Sequence, residues 1–113
     1  MNNSLLILLT SISLSFGLKA QKKPDAIVYF TADWCAPCKI YGPDLKKEAK
    51  KAKIPIIIRD VSERSAYMRD DLIRKYNIEY LPATLYYYGS EVNLVQGVEN
   101  KVLIRSRLGV TKN

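Results

Sequence analysis

The chain has no histidine and only two cysteines in 113 residues. A structural zinc site wants four Cys or His ligands, so a single copy cannot complete one and only a bridged dimer would. Covalent haem attachment of the c type is excluded too, because it needs histidine directly after the second cysteine and Lys39 stands there. Internal repeats and low-complexity linkers are also missing, and the length suits one globular domain with one core. Copper(I) held by two soft thiolates survives these exclusions.

Charge is missing from one stretch altogether. Residues 5–18 consist mostly of Leu, Ile, Phe, Ser and Thr with no charged side chain, and the run is too short to span a bilayer comfortably. Leu18-Lys19-Ala20 before Gln21 offers a small residue at a cut, so residues 1–20 read as a signal peptide and residues 21–113 as the folded domain. Met1-Asn2-Asn3-Ser4 carries no Lys or Arg, which leaves a membrane anchor that is never cleaved as the alternative reading. A buried strand or helix is the third, but the polar, proline-marked Gln21-Lys22-Lys23-Pro24 follows as a break. The expected location is therefore periplasmic or otherwise exported.

What the chain has in excess is positive charge. Removing residues 1–20 takes away Lys19 and no acid, so the formal charge falls only from +7 to +6. Lys46, Lys47, Lys50, Lys51 and Lys53 supply much of it, spread over the outer faces of one helix as a solvated surface. Nucleic-acid binding would need basic residues interleaved with exposed aromatics or a reading motif, and neither is present. The charge biases encounters with acidic partners at long range and names none of them.

Residues 26–30 form a continuous apolar run rich in β-branched and aromatic side chains, as in a strand covered on both faces. A helix is expected from near Cys35, with Ile40, Leu45, Ala49 and Ala52 as its apolar stripe and a kink at Gly42-Pro43. Residues 54–58 read as a second buried strand with Pro55 at its start. Residues 65–76 read as a helix with Met68, Leu72 and Tyr76 inward and Asn77 as its stop. Residues 84–88 and 92–96 flank a glycine-containing turn and pair antiparallel, and residues 100–108 close the chain as a helix. Tyr86, Tyr87 and Tyr88 are consecutive, so alternate members point into the core. The order is β-α-β-α-β-β-α, an α/β fold.

Both cysteines lie in Trp34-Cys35-Ala36-Pro37-Cys38, after a strand and at a helix start. Unpaired N–H groups and the positive end of the helix dipole stabilise an anion there, which makes the Cys35 thiolate the candidate nucleophile. Cys38 is nearly one turn on, beside Cys35, and suited to resolve a mixed disulfide. A purely structural bridge is the bland alternative, but closing four residues stabilises little.

Residues 26–30, Trp34-Cys35-Ala36-Pro37-Cys38-Lys39, Pro43 and Leu81-Pro82-Ala83-Thr84 together resemble the thioredoxin family, over roughly residues 24–109. The resemblance implies a minimal thioredoxin fold around a central mixed four-stranded sheet. It makes Cys35 the nucleophile and Cys38 the resolving thiol, puts Trp34, Leu81 and Pro82 against substrate, and gives Ala36, Pro37 and Pro43 supporting roles. Gly97 matches the glycine after the family's last strand. Pro82 matches the family's cis-proline, whereas the residues alone read as a trans proline opening a strand. No metal or cofactor is implied. Two departures stand out: Tyr29 occupies the place of the family's buried aspartate, and Ile58 that of its partnering lysine. Water, Tyr29 or a backbone group is then left to assist proton loss from Cys38, since Asp33 is expected to be exposed. The β-α unit with which the family usually begins is also missing from the domain.

Ala36-Pro37 puts no cation between the cysteines, which favours a reducing couple over an oxidising one. The expected partners are disulfide-containing exported proteins and a membrane thiol donor of electrons, with the protein acting as a monomer and binding no nucleic acid. Two other classes are weighed beside the enzyme: a copper(I)-binding module and a non-catalytic adaptor with incidental cysteines.

Overall fold

The computed structural model describes residues 22–110. Strand β1 (Ala26–Thr31) is the organising element, with Ile27, Val28, Tyr29 and Phe30 all buried. Its unbroken apolar run suits this position because it is covered on both faces. Helix α1 (Ala36–Lys51) carries the chain over one face to strand β2 (Ile56–Asp60), which pairs parallel to β1 with Ile27 opposite Ile56. Two short helices, α2 (Arg64–Arg69) and α3 (Asp71–Lys75), lie between β2 and strand β3 (Ala83–Tyr88). Strand β3 returns antiparallel to β1, with Tyr29 opposite Thr84, and strand β4 (Glu91–Gln96) pairs with β3 as a hairpin. Helix α4 (Lys101–Arg107) follows, and the sheet order is β2-β1-β3-β4. This is the expected mixed four-stranded α/β architecture.

Side-chain alternation along β1 divides the core in two. Ile27 and Tyr29 join Tyr41, Leu45, Ala49, Ile54, Tyr86, Ile104 and Leu108 on the face covered by α1 and α4. Val28 and Phe30 pack with Val61, Ile73, Ile78, Ala83 and Leu85 on the face toward α2 and α3. Helices α1 and α4 are tied to each other on the first of these faces by the almost fully buried Glu48, whose two carboxylate oxygens accept from Arg105 Nε and Nη2 at 3.1 and 3.3 Å. The Arg105 guanidinium holds the Glu48 carboxyl below its usual range.

Four local expectations change. Ile40 is 75% exposed, so the inward stripe of α1 runs through Cys38, Tyr41, Leu45, Glu48 and Ala49. Strand β2 is an edge, not a fully buried strand: Ile57 and Ile58 are partly open, and the strand begins after Pro55. The expected helix over residues 65–76 is two helices. Asp70 takes an extended ψ of 124°, and its Oδ1 accepts from the amides of Leu72 and Ile73, capping a new start inside the periodic pattern. That break turns Met68 outward, while Tyr67, Leu72 and Tyr76 pack against the core.

Candidate functional site

Cys35 is the N-cap of α1, with extended backbone (φ −99°, ψ 97°). An N-cap side chain ordinarily accepts from the amide three residues on, and here the acceptor is sulfur: Cys38 N donates to Cys35 Sγ at 3.2 Å. Ala36 and Pro37 fill the first two helical positions. Proline is cheap there, because the first amides of a helix have no partner within it. The first turn holds no acidic residue, so nothing opposes the positive helix end that faces the sulfur. The two cysteines form a disulfide with Cα atoms 5.3 Å apart. When it is reduced, the same amide and helix end serve a Cys35 thiolate.

Cys38 is 2% exposed and Cys35 5%, both packed with Ala32 and the half-buried Leu81. The Leu81–Pro82 peptide bond is cis, and Pro82 is buried. The loop that carries them is held from β4. Gly97 N donates to the Pro82 carbonyl at 2.7 Å, and Gln96 Oε1 accepts from the amides of Glu79 and Tyr80 at 2.6 and 3.2 Å. Leu81 is thereby brought against the disulfide by residues distant in sequence. Pro43 lies inside α1, one turn past Cys38, with its ring exposed.

Trp34 is 61% exposed, yet fixed at one end by a hydrogen bond from its indole Nε1 to the Ser62 carbonyl at 2.9 Å. Asp33 N donates to Ser62 Oγ at 2.8 Å, while the Ser62 amide and hydroxyl both donate to Asp60 Oδ1. These bonds hold the Asp60 carboxyl below its usual range. Asp60 and Ser62 thus latch the loop before Cys35 to the end of β2. Sequence reasoning did not single them out; the only local signal was a short polar Asp-x-Ser turn after a strand. From Trp34 a groove of about 680 Å³ extends past Tyr67, Met68, Tyr80 and Leu81, with Arg64 and Glu79 bringing one charge of each sign to it.

Beneath the disulfide, Tyr29 Oη donates to the Cys38 carbonyl at 3.2 Å. Burial pushes the Tyr29 phenol up to about 12, so it stays neutral and donating across the ordinary pH range. Asp33 is exposed and Ile58 lies on the edge strand, so neither supplies a buried charge under Cys38. Among the described residues no cluster of three or more metal-ligating side chains occurs, and no helix is long and apolar enough to cross a membrane. Residues 1–20, read above as a signal peptide, lie outside the described residues.

Comparison with known proteins gives the same picture. The thioredoxin family profile, described as Thioredoxin, matches residues 10–108, starting within the stretch read as a leader. The chain is 30% identical to a thioredoxin of Buchnera aphidicola over 97% of both chains. It is 29% identical to the TPR repeat-containing thioredoxin TDX of rice over 85% of this chain, which spans only 30% of that longer protein. The solution structure of oxidised thioredoxin from Plasmodium falciparum superposes with a TM-score of 0.56 at 27% identity, covering 78% of this chain and 85% of that one. With a Cys-Ala-Pro-Cys pair bonded at a helix start on this fold, the chain belongs to the thioredoxin family and is a thiol–disulfide oxidoreductase.

Proposed function

We propose that the protein is an exported reductase of disulfides in other exported polypeptides, working as a monomer and recharged by a membrane thiol donor. The observation that carries the direction is the surrounding of Cys35: one amide and a helix end stabilise its sulfur, and Ala36-Pro37 places no cation between the cysteines. Strongly oxidising couples owe their potential to a heavily stabilised thiolate, so a modestly stabilised one favours the reducing end.

In the cycle, the Cys35 thiolate attacks one sulfur of a substrate disulfide, and the other substrate sulfur leaves as a thiolate. Cys38 then loses its proton to solvent or to that leaving thiolate and attacks Cys35 Sγ. The second substrate sulfur is released and the Cys35–Cys38 bond forms. The substrate gains two electrons, which an external dithiol must restore to the protein. The apolar groove between Trp34 and Tyr80 favours an extended polypeptide segment over a small polar disulfide, with the backbone of Leu81 beside it. The uncharged leader-like residues 5–18 support export.

The test is a trap. A Cys38→Ser chain expressed in its native host retains its substrates as mixed disulfides on Cys35. Recovery of exported proteins in those adducts, from the exported fraction, is the expected result. Adducts made only with cytosolic proteins would refute export, and no adducts at all would refute the polypeptide substrate.

A further inference from the structure

The middle of α1 holds Gly42 followed by Pro43, two residues that weaken a helix interior. A proline inside a helix favours a kink there, but a kink does not require the glycine before it. Gly42 is explained by what lies against it. A Cβ at this position would stand 3.3 Å from both Cε2 and Oη of Tyr29, closer than ordinary contact. The missing side chain gives the phenol a seat directly on the helix. From that seat its hydroxyl reaches the Cys38 carbonyl, the group that the helical pattern also pairs with the Gly42 amide. The Tyr29 side chain is 1% exposed and its ring lies 6.0 Å from that of Tyr41, so the seat is walled on the far side as well.

We infer that Tyr29, seated by Gly42, is the positioning residue for the resolving thiol, holding the first turn of α1 on β1 so that Cys38 stays aimed at Cys35 once the disulfide is open. The inference rests on the dithiol cycle proposed above. In the oxidised chain the covalent bond fixes the two sulfurs. In the mixed disulfide that tether is gone, and Cys38 is held by its helical frame, by packing on Ala32 and Leu81, and by the Tyr29 hydrogen bond from the central strand. Attack of Cys35 on substrate uses the Cys38 amide but not the direction of the Cys38 side chain, whereas resolution depends on that direction. Tyr29 therefore bears mainly on the second step.

The two steps separate in stopped-flow reaction of the reduced full chain with excess 5,5′-dithiobis(2-nitrobenzoate). Attack by Cys35 releases one thionitrobenzoate at a rate proportional to reagent concentration. Resolution by Cys38 releases the second at a rate independent of it, and Cys38→Ser identifies that phase by abolishing it. Tyr29→Phe keeps the ring and removes the hydroxyl. It is expected to slow the second phase about five-fold, the rate equivalent of one net hydrogen bond, with the first phase within two-fold of the parent. Gly42→Ala keeps the hydroxyl but displaces the ring, and is expected to slow the second phase in the same selective way. An unchanged second phase in both variants, or equal slowing of both phases, overturns the inference. Should Tyr29→Phe fail to fold, Gly42→Ala decides alone by the same criterion. A parent chain that releases only one equivalent would refute the dithiol cycle itself and is distinguishable from both results.

Discussion

Replacing Gly97 by alanine isolates one backbone conformation at the active site. Gly97 has φ 106°, a region that L-residues rarely enter, and a Cβ added there meets nothing within 4 Å. The cost is therefore conformational and not steric crowding by neighbours. Backbone strain of this kind runs to about 1–3 kcal/mol. The loss of unfolded-chain freedom on going from Gly to Ala returns about 0.4–1 kcal/mol. The net destabilisation is then about 1–2 kcal/mol, or a fall in Tm of roughly 4–16 °C for a domain of this size. Asparagine tolerates the left-handed helical region near φ 57° but not this one, so Gly97→Asn is expected to be about as destabilised as Gly97→Ala. Because the Gly97 amide holds the Pro82 carbonyl, both variants are also expected to raise KM for a polypeptide disulfide. Thermal unfolding followed by far-ultraviolet circular dichroism measures the effect. A Tm shift under 2 °C for both variants would refute the strained conformation and the link it makes between β4 and the Leu81–Pro82 loop.

Met68→Ala and Tyr80→Ala, which trim exposed walls of the groove, are expected to raise KM for a disulfide-bonded polypeptide about three- to ten-fold while leaving reaction with a small aromatic disulfide unchanged; equal effects on both substrates would remove the groove from substrate binding. The tyrosines give an alkaline signature. Burial raises the folded-state titration of Tyr29 to about 12, above the ordinary 10 of an unfolded chain, so its contribution to stability is intact below pH 10 and is lost as the pH rises toward 12. Absorbance at 295 nm is expected to show Tyr29 ionising only with unfolding; full tyrosine ionisation of a folded chain near pH 10 would contradict its burial. Asp70→Ala removes the acceptor for the Leu72 and Ile73 amides at the start of α3 and is expected to cost about 1–2 kcal/mol in urea unfolding, with no loss from Asp70→Asn beyond about half of that.

The features legible in the sequence are those whose cause is local. The apolar run of β1, the cap position of Cys35, the proline at the start of the helix and the turn between β3 and β4 each follow from a few adjacent residues. Features set by distant partners were not legible. Glu48 sits in a lysine-rich segment and reads as solvated, yet it is buried because Arg105 reaches it from 57 positions away. Ser62 looks like an ordinary turn residue until Trp34 and Asp33 close on it. Ile40 and Met68 fit a helical period and still face outward, since the period fixes a stripe without saying which neighbour covers its ends. The break at Asp70 escaped for a related reason: a capping aspartate inside a periodic stretch is recognisable only once its carboxylate is seen on the next two amides. At the site itself, Tyr29 stood out as a departure from the resembled family, but its bond to Cys38 and its seat on Gly42 needed the packing of β1 on α1.

The reduction potential of the Cys35–Cys38 couple, measured by equilibrating the full chain against dithiothreitol or glutathione mixtures and counting free thiols, tests the central claim most directly. A thiolate stabilised by one amide and a helix end, with no cation between the two cysteines, predicts a value near the reducing end of the family at about −270 mV. A value near −120 mV, that of a strong oxidant, would contradict a reductase, and the absence of a reversible couple would contradict the dithiol cycle.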